Sequence, residues 1–478
     1  MVFYEFNRCC MFSLECKYEN GKDFLSYELP GYFIDYIPLV GATKLAFTFE
    51  NAEHPTRPRP NGLRKPWGGM WLHNLGYAVI GVKPKLVDWY RGRDLHKFFR
   101  SSELQDFVSQ FDQVFLYGSS MGGFAALTFA DAFPGASVIA FNPQATLDAS
   151  IVPWDTRYPE GSRQDWSGDF SDARIGASKA KSVFVAYDPL FKLDRKHVER
   201  LDQENIIHFK MPLVGHVIAA YMNEVDILST FVEGALAGTL SAHECSLLAR
   251  NRRKTPQYFY CMGKRSRSVA VKEACLRKIS EFEKVSPLYQ SNFSELMVSS
   301  GNWHLLREPE IQIFLSRFDD DCLSVLLKKA GDNGYWEYAL VILQRAISVR
   351  KVSQAIIILI AECLWKLVRL QEAEAYGRLA VHNARPGHGN AYRILARILF
   401  SAKKTSEARD VARAGVVVEG TSFLGWCDLA RYSEAIGDYA DALIASEQAA
   451  KLQPDNPHPK VDIQRLRLKL SPDLVTNT

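Results

Sequence analysis

The sequence predicts a chain of two parts: an α/β domain with a mostly parallel sheet covered by helices on both faces, then an all-α array of helix pairs. Three observations predict it. Up to about residue 240, short and nearly continuous apolar runs alternate with amphipathic stretches, the pattern of strands buried on both faces and joined by helices. Beyond residue 320, small residues recur at a spacing close to 34. Between the two regions the composition turns basic.

The expected strands are Lys44–Glu50, Tyr77–Lys83, Gln113–Tyr117, Ser137–Phe141, Ser182–Tyr187 and Asn205–Lys210. Helical stretches fall between them at Glu103–Gln110, Gly122–Asp131 and Asp194–Leu201, and from His216 onward. Residues 1–36 read as short strands with turns, an antiparallel edge to the sheet. The domain boundaries that follow are 1–240 for the α/β part, 241–319 for a basic, partly helical linker, and 320–478 for the repeats with a C-terminal capping helix. From Ser241 to Lys284 eleven Lys and Arg face four Glu, a pattern read as a solvated connector.

Composition excludes several classes. A net charge of +4 over 478 residues gives no reason to expect nucleic acid as a partner. The nine cysteines are scattered without a CxxC pair, so neither a zinc knuckle nor a disulfide framework is expected. The most apolar run, Ala355 to Leu364, is far short of the roughly 20 residues a bilayer span needs. The first residues lack a basic region leading into a long apolar one, and a cytoplasmic location is expected.

The sharpest local signal is Gly118-Ser119-Ser120-Met121-Gly122, set between the apolar run Val114–Tyr117 and an amphipathic helix. A Gly-x-Ser-x-Gly on a strand-to-helix turn is a nucleophile elbow. The turn strains the serine backbone and crowds the residues two positions either side, which Gly118 and Gly122 suit. Ser120 then projects its hydroxyl from a helix N-terminus, where the Met121 amide points to the place an oxyanion would form.

On these residues the region 1–240 resembles the α/β-hydrolase superfamily, and GSSMGGFAAL is similar to the elbow of its bacterial esterase branches. The resemblance implies an acyl-serine intermediate without metal or organic cofactor, and a triad in the order Ser, acid, His after successive strands. Asp188 follows Ser182–Tyr187, and Gly215-His216 follows Asn205–Lys210. His216 is therefore the expected base. Asp188 is assigned as the acid, because Asp194 opens an amphipathic helix and N-capping would account for it; Asp194 stays open as the alternative. No HGGG follows Lys44–Glu50, a departure from the pattern, so the second oxyanion amide is placed in the following loop, near Asn51. The forty residues from Asn142 to Lys181 carry Trp154, Tyr158 and Trp166 without clear periodicity and are expected to form a lid or binding element. Val87–Arg91 is read either as lining the same cleft or as packing.

Ala339, Ala373, Ala408 and Ala442 recur at spacings of 34, 35 and 34, each followed seven residues later by Ala346, Ala380, Gly415 and Ala449. Ala361, Ala396 and Ala430 precede the last three by twelve. The unit from Trp426 through Gly437 to Pro454 resembles the tetratricopeptide repeat, and Lys460–Leu470 is placed to cap the array. The expected function is a serine hydrolase acting on a carboxylic ester, the acyl group carried in one form by a glycan, with repeats that recruit a protein partner. Two alternatives stay open: an acyltransferase decorating a surface glycan, and an inactive hydrolase-fold scaffold.

Overall fold

Eight strands form one sheet in the order β1-β2-β4-β3-β5-β6-β7-β8. They are β1 (Leu25–Leu29), β2 (Tyr32–Ile37), β3 (Lys44–Phe49), β4 (Ala78–Pro84), β5 (Gln113–Ser119), β6 (Ser137–Phe141), β7 (Ser182–Tyr187) and β8 (Ile206–Lys210). The structure, a computed structural model, describes residues 24–52, 64–283, 286–384 and 389–470. It divides into two compact units, Met1–Cys261 and Met262–Thr478.

β1 and β2 form a hairpin about Gly31, whose φ of 84° is open to glycine without strain. β2 pairs antiparallel with β4, and from β4 through β3, β5, β6, β7 and β8 every pairing is parallel. The sheet is thus mixed, with its antiparallel edge where residues 1–36 were expected to supply one; residues 1–23 lie outside the described set. The inner strands are apolar on both faces because both are covered, and β4 is buried along its whole length. On one face Phe49, Phe99, Phe129 and Phe170 pack together, with the Phe99 and Phe129 rings stacked 3.9 Å apart. This rigid block carries the C-terminal ends of β5, β7 and β8, from which the site is built.

The stretch 241–319 is helical for most of its length instead of a solvated linker. Ala242–Ala249, opened by a capping box of Ser241 and Glu244, packs against β8. Pro256–Arg265 follows, then Val269–Ser280, Pro287–Ser300 and Pro309–Leu315. Part of its positive charge is paired from farther along the chain: Lys264 meets Glu295 at 2.9 Å and Arg277 meets Glu308 at 2.7 Å, while Glu273, within the same stretch, meets Arg277 at 2.6 Å. Counting charge over a sequence window left Glu295 and Glu308 out.

In the second unit, helices Asp320–Asp332, Gln354–Lys366, Asn390–Ser401 and Phe423–Ala435 are each followed by an antiparallel-type partner of similar length, and Pro457–Leu470 comes last. The repeated alanines Ala339, Ala373, Ala408 and Ala442 are fully buried, as are Ala346, Ala380 and Ala449. A small side chain at these places lets paired helices approach closely, which is why their period was readable. No helix among the described residues is long and apolar enough to cross a membrane.

Candidate active site

At the C-terminal end of β5 the chain turns directly into the helix Met121–Phe129. Ser120 at the turn has φ 54° and ψ −117°, a conformation that L residues adopt only under strain. Its amide donates to the Phe141 carbonyl at 2.8 Å, tying the turn to β6. The flanking glycines answer a steric demand. A Cβ on Gly118 would stand 2.0 Å from the Gly122 carbonyl oxygen, and one on Gly122 would stand 2.3 Å from that of Phe49. Ser120 Oγ lies 3.0 Å from His216 Nε2.

His216 sits on the loop after β8, as the sequence order implied. Its Nδ1 lies 2.6 Å from Asp194 Oδ2, so the acid in contact with the imidazole is Asp194, and the assignment of Asp188 is corrected. The helix Lys192–Leu201 is N-capped at Phe191 without a side-chain bond, which places Asp194 in its first turn with the carboxylate free to face His216. Asp194 is fully buried. Asp188 has a different task. One of its oxygens accepts from the amides of Val214, at 3.0 Å, and Gly215, at 2.8 Å; the other accepts from Leu190 at 2.8 Å. It moors the loop bearing His216 to the end of β7.

The segment after β6 contributes more than a cover. Arg157 donates to Asp194 Oδ1 at 2.9 Å through Nη1, and grips Asp155 through Nε at 2.9 Å and Nη2 at 2.7 Å. Asp155 in turn meets His197 Nε2 at 2.8 Å, while His197 Nδ1 accepts from the Ala145 amide at 3.2 Å. These contacts fix His197 as the neutral tautomer protonated on Nε2, and burial holds its pKa below the ordinary imidazole value. Burial alone would raise the Asp155 carboxyl, but the bonds from Arg157 and His197 outweigh it and hold the group well below the usual range. A buried chain of ionised and hydrogen-bonded groups thus supports Asp194 from behind.

Of Trp154, Tyr158 and Trp166, Tyr158 alone reaches His216: its hydroxyl is 3.1 Å from Nε2. Trp154 packs on His197, and Trp166 packs edge-on to Phe124 and donates to the Gly161 carbonyl at 2.9 Å. Asn142, 1% exposed and at φ 38°, brings Nδ2 to 3.2 Å from His216 Nε2. Val87–Arg91 proves to be packing. Trp89 is fully buried against the Tyr158 ring, 4.9 Å between centroids. Arg91 reaches the carbonyls of Asp165, Ser167, Asp169 and Phe170 at 3.0, 3.1, 3.0 and 2.6 Å, so a single guanidinium shapes that loop. The contacts of Tyr158, Asn142 and Arg91 were not readable locally, because each spans tens of residues.

Met121 is the first residue of its helix, so its amide has no intrahelical acceptor. Asn51 leaves β3 beside the elbow, since Phe49 pairs with Gly118 across the sheet. It is exposed, and residues 53–63, which include His54, lie outside the described set. A cavity of about 400 Å³ lined by Gln113, Phe115, Ser137 and Lys181 opens at the opposite end of the strands, away from Ser120.

The fold and site define a unit with a Ser–His–Asp array on an α/β sheet, joined in sequence to a unit of tetratricopeptide-like helix pairs. No protein-family model matches the chain, and no curated protein matches it. Similar solved structures align over part of its length. MamA 41-end from Desulfovibrio magneticus RS-1 is 16% identical over 32% of this chain and 85% of its own, with a TM-score of 0.28. YrrB, described as a TPR protein with an unusual peptide-binding site, is 16% identical over 38% of this chain and 95% of its own, at 0.28. The APC/C hetero-tetramer Cut9-Hcn1 is 10% identical over 52% of each chain, at 0.31.

Proposed function

We propose that the N-terminal unit is an α/β-hydrolase-type serine hydrolase that cleaves a carboxylic ester through an acyl-serine. The observation that carries this reading is the continuous line from Ser120 Oγ to His216 Nε2, at 3.0 Å, and from His216 Nδ1 to Asp194 Oδ2, at 2.6 Å. The strained elbow, and the placement of acid and base after β7 and β8, support it.

Neutral His216 carries its proton on Nδ1 toward Asp194, leaving the Nε2 lone pair to accept the Ser120 proton as Oγ attacks the ester carbon. The carbonyl π electrons move to oxygen, where the Met121 amide and the helix dipole meet the developing charge. Asp194, anchored by Arg157, stays ionised and stabilises the imidazolium. Collapse expels the alcohol, which takes the proton from Nε2, and water repeats the sequence on the acyl-serine. The helical unit, in this reading, recruits a protein partner through its exposed helix faces.

A fluorophosphonate probe tests the proposal. It should label the wild type at Ser120, and Ser120→Ala should abolish labelling with the far-ultraviolet dichroism preserved. A wild type that resists the probe when native, or an adduct mapped to Ser119, would overturn it.

A further inference from the structure

Tyr158 is not part of the triad, yet its hydroxyl lies as close to His216 Nε2 as the nucleophile does, 3.1 Å against 3.0 Å. The phenol is fixed there from three sides. Its ring packs on buried Trp89, the Arg157 guanidinium lies 4.9 Å from the ring centroid, and its carbonyl accepts from Ser162 Oγ at 3.2 Å. Because Nδ1–H is committed to Asp194, Nε2 of the resting imidazole can only accept. Ser120 and Tyr158 therefore both present O–H groups to one lone pair.

The balance changes once the serine proton has moved. Nε2 then bears a hydrogen that the departing alkoxide must reach to collect. A group 3 Å from Nε2 lies within hydrogen-bond reach of that same oxygen.

We propose that Tyr158 is a fourth catalytic residue, whose hydroxyl donates a hydrogen bond to the leaving-group oxygen as the tetrahedral intermediate collapses. The inference rests on the serine-hydrolase reading above. In that step the bond from carbon to the leaving oxygen breaks and its electron pair stays on the oxygen. The proton arrives from His216 Nε2, having come from Ser120 Oγ, and the acyl–Oγ bond remains. Tyr158 keeps its own proton throughout and stabilises the charge on the oxygen before transfer is complete. Burial, against the nearby Arg157 charge, pushes its pKa up to about 12, which suits a group that donates without ionising. By microscopic reversibility the same hydroxyl orients the water or alcohol that later attacks the acyl-serine. A donor at this place favours hydroxyl nucleophiles over amines, because an attacking oxygen keeps a second lone pair to accept from the phenol and an attacking amine keeps none.

The test separates leaving groups while holding the acyl group constant. Tyr158→Phe keeps the ring and its packing. On p-nitrophenyl acetate, whose nitrophenolate leaves without protonation, kcat/KM should stay within about threefold of wild type. On ethyl acetate, followed by pH-stat, it should fall about a hundred- to a thousandfold, the range of one lost transition-state hydrogen bond. Fluorophosphonate labelling of the variant should run at the wild-type rate, because fluoride also needs no acid. Equal losses on both esters, or lost labelling, would overturn the proposal and make Tyr158 a support of Ser120 and His216. A wild type that neither labels nor turns over either ester would instead sink the hydrolase reading itself.

Discussion

Asp194 and Asp188 are both buried, six residues apart, and should fail differently. Asp194→Asn removes the charge facing the imidazole, so turnover should drop by a factor of about 10⁴, with some stability lost as its NH₂ meets the Arg157 donor. Asp188→Asn leaves the triad charge in place but turns an NH₂ group toward backbone amides that now donate to it. Its cost should be about 1–3 kcal/mol of stability, the price of an unsatisfied buried donor, with more turnover retained than in Asp194→Asn. Paired measurements of kcat and thermal midpoint decide the roles, and the reverse pattern would restore Asp188 as the acid. The sequence misled here for a definite reason. Capping is judged from a residue's neighbours, whereas Asp194 is held by Arg157, 37 positions earlier, and by His216, 22 positions later.

Among the elements, the elbow stores strain that a substitution can release. At φ 54° and ψ −117°, Ser120 occupies a region glycine enters freely. Relief of about 1–3 kcal/mol outweighs the roughly 0.5–1 kcal/mol that glycine adds in unfolded-chain entropy. Ser120→Gly should therefore melt above Ser120→Ala, and both should be inactive; equal midpoints would mean the turn is unstrained. This element was legible in advance because its demands are local: an apolar strand, two glycines and a helix fit only one turn. The buried strands were legible for the same reason, and Ser137–Phe141 and Ser182–Tyr187 match their expected bounds. The segment from Asn142 to Lys181 was not. Its shape depends on Arg91 and His197 arriving from elsewhere and on its own Arg157 meeting Asp194 beyond its end, and no periodicity records such meetings.

At the scale of the whole chain, the first unit extends to Cys261 instead of stopping near 240. Gln257 Nε2 reaches the Val214 carbonyl at 3.4 Å, two residues from His216, and Ala242–Ala249 covers β8. A fragment ending at Ser266 should thus fold and hydrolyse p-nitrophenyl acetate, while one ending at Ser241 should be insoluble or inactive. An active 1–241 fragment would show that these helices are dispensable. The same fragment should lose stability in mild acid. Burial lowers the pKa values of His96, to about 4, and of His197 and His208. An unfolded chain protonates all three near 6.5 and the folded one does not, so stability is full above that pH and declines as pH falls toward 4. Asp35, raised to about 6 by burial against the pull of Lys83, acts in the opposite sense over part of this range but is one group against three. Urea midpoints at pH 7.5, 6 and 5 should fall in that order, and His96→Gln should flatten the trend.

The grip of Arg91 on four carbonyls has a consequence for how this protein can change. Main-chain oxygens are present whatever side chains stand there, so Arg91 holds residues 165–170 without reading the loop's letters. Those letters still contribute: Asp165 accepts from the Ser167 amide at 3.0 Å, and Gly168 turns at φ 77°. The liability is nonetheless concentrated, because one substitution at position 91 would release four carbonyls at once.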